Sequence, residues 1–177
     1  MEIRALRASD DRSHFRSGDP DLDRFLEKYA GQNQFRHHTG VTYVAVDDRI
    51  MGYATVAPGH LEIQALPLAR RKKLPRYPLP ILRLARLAVD ESCRGQGLGK
   101  QLLRFVLGLA MQMAHDLGCA GVVVDAKPGA IAFYQQFGFA PLEVVEGISP
   151  ARPQPIAMFL PIGEIAAASR LQPHQNP

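Results

Sequence analysis

Residues Arg94-Gly95-Gln96-Gly97-Leu98-Gly99 stand between a run with strand character and a run with helix character, and this is where the chain's types and spacing point most directly to chemistry. A glycine-rich turn of that kind lets successive backbone N–H groups point into one concavity, and the positive end of the following helix dipole reinforces them. Glycine serves because a side chain there would block a phosphate or demand an unfavourable φ. The turn is therefore suited to a pyrophosphate, with Arg94 supplying charge and Gly95, Gln96, Gly97, Leu98 and Gly99 supplying main-chain amides. Lys100 stands next in line, and a solvated helix position is its alternative. The turn lacks the Gly-Lys-Ser/Thr ending of a P-loop, and its glycines do not fall as G-x-G-x-x-G. Taken alone, the same pattern also fits a plain structural turn.

A second feature is electrostatic. The chain has 177 residues and a formal charge of +4, and no acidic residue occurs between Glu62 and Asp90. Arg70, Arg71, Lys72, Lys73, Arg76, Arg83 and Arg86 all fall in that gap, while the rest of the chain carries 14 basic and 17 acidic residues. The whole positive excess sits in one segment. Such a field attracts a polyanion and makes binding salt-dependent, and nucleic acid is a candidate partner; a solvated loop is the alternative.

The elements around these residues read as an α/β domain. Met1 to Leu6 is a short first strand. Asp19-Pro20 caps a helix in which Leu22, Phe25, Leu26 and Tyr29 recur at i, i+3, i+4 and i+7, running to about Phe35. Val41 to Val46 and Ile50 to Val56 pair as a hairpin across Asp47-Asp48-Arg49. Pro58 to Pro80 holds five prolines and reads as loop with at most a short helix. Ile81 to Val89 is a strand leading through the glycine turn into a long helix on Leu98, Leu102, Phe105, Leu109 and Met113, stopped at Gly118. Val122 to Asp125 reads as a buried strand, and Pro128 opens a short helix carrying Phe133, Tyr134 and Phe137. Val144 and Val145, then Ile156 to Leu160, read as two last strands around a Ser149 to Pro155 hairpin loop. The expectation is a single domain over 1–171, with a mixed, mostly antiparallel central sheet flanked by helices and a loose tail over 172–177.

Composition excludes other classes. Hydrophobic residues make up 46% and charged residues 21%, as in ordinary globular chains. Phe105 to Met111, the most apolar stretch, is far short of the roughly 20 residues needed to cross a bilayer. Met1-Glu2-Ile3-Arg4 does not open a signal peptide, so a cytoplasmic protein with no membrane association is expected. Cys93 and Cys119 lack metal or redox spacing, and no metal site is expected.

Leu87-Ala88-Val89-Asp90 before Arg94-Gly95-Gln96-Gly97-Leu98-Gly99, with Ala132-Phe133-Tyr134-Gln135-Gln136-Phe137-Gly138-Phe139 some 30 residues later, resembles the GNAT superfamily of acetyl-CoA-dependent N-acetyltransferases. A narrower likeness rests on Asp21-Leu22-Asp23-Arg24-Phe25-Leu26, Tyr29-Ala30-Gly31-Gln32-Asn33-Gln34, Leu74-Pro75-Arg76-Tyr77-Pro78 and Arg86-Leu87-Ala88-Val89-Asp90. Over Asp19 to Ile162 the chain is similar to the GNAT toxins of bacterial type II toxin–antitoxin systems. That resemblance implies an enzyme that acetylates the α-amino group of aminoacyl-tRNA and stops translation. It also implies a homodimer held inactive by a small ribbon-helix-helix antitoxin.

The resemblance further implies that the backbone of Leu87, Ala88 and Val89 lies along the pantetheine arm of acetyl-CoA, where a main-chain N–H would stabilise the oxyanion. Tyr134 is the candidate general acid, because a phenol of pKa about 10 keeps its proton at neutral pH. Its alternative is a packing role among Phe133, Phe137 and Phe139. A free α-amino group has a pKa of about 8 and needs no dedicated strong base, so none is assigned. The basic cluster Arg70, Arg71, Lys72, Lys73, Arg76, Arg83 and Arg86 is expected to hold tRNA phosphates with little base specificity. A GNAT that acetylates a small amine or a protein N-terminus, and a non-catalytic acetyl-CoA-binding module, are the competing functions.

Overall fold

The computed structural model describes residues 1–142 and 155–170. Seven strands form one sheet in the order β1-β2-β3-β4-β5-β7-β6. In chain order they are β1 (Glu2–Ala5), β2 (Val41–Val46), β3 (Ile50–Leu61), β4 (Leu79–Val89), β5 (Gly121–Ala126), β6 (Ala140–Pro141) and β7 (Ile156–Pro161). The helices are α1 (Pro20–Arg24), α2 (Leu68–Arg71), α3 (Leu98–Asp116), α4 (Ile131–Gln135) and α5 (Ile162–Arg170). The β1–β2, β2–β3, β5–β7 and β6–β7 pairs are antiparallel, as expected for a mostly antiparallel α/β sheet. The residues group into two compact units, one of Met1–Ala57 with Leu84–Gly108, the other of Pro58–Arg83 with Leu109–Pro177.

In the first unit, Leu6, Phe15, Phe25, Leu26, Ala30, Val44, Ile50, Tyr53 and Ala88 form one apolar cluster. Tyr53 is fully buried at its centre, with the Phe15 ring edge-on at 5.4 Å and its hydroxyl donating to the Leu22 carbonyl at 2.8 Å. The phenol can be buried there because its one strong polar group is satisfied. Thr42 and Thr55, opposite each other in the β2–β3 register, bury their hydroxyls on one another at 2.8 Å.

The first helix begins as its sequence requires, with the Asp19 carboxylate accepting from the amides of Asp21 and Leu22 and Pro20 in the first turn. It then departs from the expected 3.6-residue period. Phe25–Tyr29 and Gln32–Arg36 are π-helical turns, in which Ala30 N–H reaches back five residues to Phe25. A widened turn moves the apolar face on by one residue, so Ala30 is buried and Tyr29, expected on that face, is 47% exposed.

In the second unit, Leu61, Leu66, Leu79, Ile81, Val123 and Phe159 make a separate core. Gly121 starts β5 and pairs with Pro161 at the end of the β5–β7 ladder. A Cβ there would collide with the Leu160 carbonyl oxygen and lie 2.5 Å from the Phe159 ring. Backbone cannot yield as a flexible side chain can, so Gly121→Ala is expected to destabilise the chain by about 3 kcal/mol, the upper range for overpacking. A denaturant midpoint unchanged from wild type would refute this.

Several boundaries differ from the sequence reading. β3 runs on to Leu61 and β4 starts at Leu79, shortening the expected Pro58–Pro80 loop to a 3₁₀ turn (Ile63–Ala65), α2 and connecting residues. The long helix buries Leu98, Leu102, Leu103, Val106 and Ala110, while Phe105, Leu109 and Met113 are only half-buried. It ends at Asp116, just before Gly118, whose amide bonds to the Met113 carbonyl at 2.8 Å and whose φ of +103° turns the following chain out of the helix. Helix α5 was not expected. Val144, Val145, the Ser149–Pro155 loop up to residue 154 and the 172–177 tail lie outside the described residues.

Candidate active site

The glycine turn is built by what precedes it. Asp90 directly follows β4 and caps the next turn: its carboxylate accepts from the Ser92 amide at 3.1 Å and hydroxyl at 2.7 Å, folding Glu91–Cys93 into a 3₁₀ turn. The Cys93 side chain is buried and the Leu98 side chain is 4% exposed, so the turn is anchored at both ends while Arg94 to Gly97 stay exposed. Gly95 and Gly97 take φ of +74° and +81°, and a Cβ on either would meet nothing within 4 Å. Their glycines are therefore required by backbone conformation, and the space beside them is open to a ligand.

Backbone amides in this turn meet few acceptors. Arg94 N–H bonds to Glu91 and Gln96 N–H to Cys93. Among the described residues, the amides of Gly95, Gly97, Leu98, Gly99 and Lys100 find no acceptor. Five unsatisfied donors at the start of a 19-residue helix make a cradle for a doubly charged oxyanion such as a diphosphate. The Arg94 guanidinium does not sit free over the turn. It donates to the Ser17 carbonyl and lies 3.8 Å from Glu91. Gln96 is likewise tied by its amide to the Ser92 carbonyl at 3.0 Å, and the Lys100 side chain is exposed.

On β4, Ala88 is buried in the first unit's core while Leu87 and Val89 are half-buried. Arg86 behaves differently from the other basic residues. Its guanidinium lies 3.7 Å from the centre of the Phe25 ring, a cation–π contact on a half-buried side chain.

Tyr134 belongs to the second unit. Pro128 starts a 3₁₀ turn that runs into α4, and Gly138, at φ +91°, ends the segment. The Tyr134 ring is 6% exposed, edge-on to Phe133 at 5.1 Å and to Phe139 at 5.5 Å. Its hydroxyl makes no hydrogen bond among the described residues. No buried polar side-chain atom there lacks a partner, so that hydroxyl must reach the surface. Burial of the ring pushes the phenol up to about 12. The result is a protonated O–H on a buried, packed ring, with no hydrogen-bond partner among the described residues.

The basic segment divides into committed and uncommitted charges. Arg70 pairs with Glu164 at 3.0 Å and Arg83 with Asp125 at 2.8 Å. Arg71 donates to the carbonyls of Leu66 and Gln64 at 2.6 and 2.7 Å. Lys72, Lys73 and Arg76 are exposed and have no partner among the described residues. The sequence treats all seven as equivalent, and the fold does not.

Sequence reasoning missed the support beneath the turn. Asp90 is 4% exposed, and besides Ser92 it takes both guanidinium nitrogens of Arg49 at 3.0 Å each and the Arg16 amide at 3.0 Å. Those donors hold its carboxyl well below the usual carboxylate range. The Asp-x-Ser spacing announces the local turn, but nothing local announces Arg49 or Arg16.

The chain is similar to known proteins over most of its length. Residues 38–141, more than half of the chain, match the family described as acetyltransferase (GNAT) domain. A tRNA-acetylating toxin of Mycobacterium tuberculosis (strain ATCC 25618 / H37Rv) is 35% identical over 137 residues, covering 77% of this chain and 82% of that protein. The solved structure of AtaT complexed with acetyl-methionyl-tRNAfMet is similar at a TM-score of 0.82 and 28% identity, over 95% of this chain and 98% of that one. AtaTR bound with acetyl-CoA is similar at a TM-score of 0.77 and 27% identity, over 95% and 97%. A strand, a positive-φ glycine turn and a long helix with unpaired leading amides thus occur in a chain that matches this family over most of its length: it belongs to the GNAT acetyltransferases.

Proposed function

We propose that this chain transfers the acetyl group of acetyl-CoA to the α-amino group of an amino acid charged on tRNA, and so blocks translation as a toxin. The cradle of five unpaired amides carries the donor half of the reading. The acceptor half is supported by the 35% identity to a tRNA-acetylating toxin and by three uncommitted surface cations. Gly95, Gly97, Leu98, Gly99 and Lys100 hold the diphosphate through their N–H groups. Arg94 and Gln96 shape the turn through side-chain bonds to Ser17 and Ser92 and add donors at its rim. The backbone of Leu87, Ala88 and Val89 takes the pantetheine arm and supplies an oxyanion donor.

In the reaction the neutral α-amine attacks the thioester carbonyl carbon, a C–N bond forms, and the C–S bond breaks. Tyr134 gives its phenolic proton to the departing sulfur and is reprotonated by the proton that the amine loses. Lys72, Lys73 and Arg76 bear most of the attraction for tRNA phosphates, with Arg70, Arg71, Arg83 and Arg86 contributing less because their guanidinium groups already have partners. The acyltransferase domain spans 1–171, with 172–177 as a tail. By the same family likeness it works in the cytoplasm as a homodimer, restrained by a ribbon-helix-helix antitoxin. No helix among the described residues is long and apolar enough to cross a membrane.

Incubation with labelled acetyl-CoA and either charged or uncharged tRNA tests the proposal. Label on charged tRNA alone is expected. Turnover on small amines without labelling of tRNA would instead make this a small-molecule acetyltransferase, and donor binding without turnover would make it a binding module.

A further inference from the structure

The geometry points to Asp90, held by Arg49, as the positioning residue of the diphosphate cradle. This rests on the proposed reading of residues 94–100 as the donor site. Three segments far apart in sequence converge on the one carboxylate: Arg16 from the N-terminal loop, Arg49 from the β2–β3 turn, and Ser92 from the turn that leads into the cradle. Asp90 Oδ1 takes Arg49 Nη2, the Ser92 amide and the Ser92 hydroxyl, while Oδ2 takes Arg49 Nη1 and the Arg16 amide. All five donors need a charged, fully accepting group.

The consequence passes along the backbone. Cys93 N–H bonds to the Asp90 carbonyl at 2.9 Å, Gln96 N–H to the Cys93 carbonyl at 3.4 Å, and the Gln96 side chain to the Ser92 carbonyl at 3.0 Å. Glu91 N–H bonds to the Arg16 carbonyl at 2.8 Å, so residues 16 and 17 brace the turn from the other side through Glu91 and Arg94. The direction in which the unpaired amides of Gly95 and Gly97 point is therefore set by a group that never touches the ligand. Asparagine at 90 would offer one oxygen where two are needed, and would turn an NH₂ donor toward a guanidinium or an amide N–H.

Asp90→Asn, Arg49→Gln and Arg49→Lys are compared with wild type by calorimetric titration of acetyl-CoA. Kinetics follow with two donors, acetyl-CoA and S-acetylpantetheine, the second of which has no diphosphate. Asp90→Asn and Arg49→Gln are expected to raise the Kd and KM for acetyl-CoA by about tenfold, as loss of a charge-assisted contact does, while kcat changes by less than about twofold. The kcat/KM for S-acetylpantetheine is expected to stay at the wild-type value, and Arg49→Lys, which keeps the charge but not the fork, to fall between. If Asp90→Asn does not fold, Arg49→Gln decides, since that side chain is 41% exposed and, among the described residues, bonds only Asp90 and Ser92. Folded variants with wild-type affinity for acetyl-CoA, or equal losses with both donors, overturn the inference. A wild-type chain that binds no acetyl-CoA overturns the cradle itself and this inference with it.

Discussion

Tyr134→Phe is expected to lower kcat by about a hundredfold, the lower end of what a general acid contributes, while leaving stability and acetyl-CoA affinity at wild-type values. The lower end applies because a phenol pushed up to about 12 is a weak donor at neutral pH, however well it is placed. Stability is expected to hold because the hydroxyl has no hydrogen-bond partner among the described residues to lose, and the ring contacts to Phe133 and Phe139 survive in phenylalanine. A purely structural tyrosine predicts the opposite pairing, an unchanged kcat. A kcat reduced by less than about threefold would remove Tyr134 from the chemistry.

The pH profile carries an independent sign. Activity is expected to rise with pH through the acceptor amine's pKa of about 8, as the nucleophile becomes neutral. No alkaline fall should arise from Tyr134 below about pH 11, because burial keeps its proton on until about 12. Linkage runs the same way: a phenol whose folded pKa lies above its unfolded value adds nothing to stability at neutral pH but weakens the fold as pH rises past about 10. An alkaline decline centred near 9 that vanishes in Tyr134→Phe would contradict the environment described.

The second large effect is electrostatic. Simultaneous replacement of Lys72, Lys73 and Arg76 by alanine is expected to reduce the slope of log affinity for tRNA against log salt by about 2 to 3, and to weaken binding by about 10- to 100-fold at low salt. Acetyl-CoA affinity should not change. Arg70→Ala and Arg83→Ala are expected to alter the slope far less, because each guanidinium already faces a carboxylate, Glu164 or Asp125, and adds little net field. Removing either exposed pair should cost no more than about 1 kcal/mol of stability. Filter-binding titrations of a charged tRNA from 50 to 200 mM salt distinguish the cases. Equal slopes for the triple variant and for wild type would reject these three residues as the phosphate contacts.

What the chain determined by itself was local. The glycine turn, the Asp19-Pro20 cap, the Asp47-Asp48-Arg49 hairpin and the Gly118 stop all follow from φ preferences and capping groups within a few residues, and all stand in the fold. The two halves of the GNAT signature were legible for the same reason, since each is a short contiguous run. Tertiary packing decided the rest. The π-turns that bury Ala30 and expose Tyr29 answer to the Phe25–Tyr53 cluster, not to any period in the sequence. Arg70 and Lys72 look alike in the chain, yet one has met Glu164 from 94 residues away and the other has met no partner among the described residues. Asp90 reads as a strand end, and only the arrival of Arg49 and Arg16 makes it the keystone of the turn. Charges and hydrogen bonds act over a few ångströms of space, and sequence records distance along the chain instead.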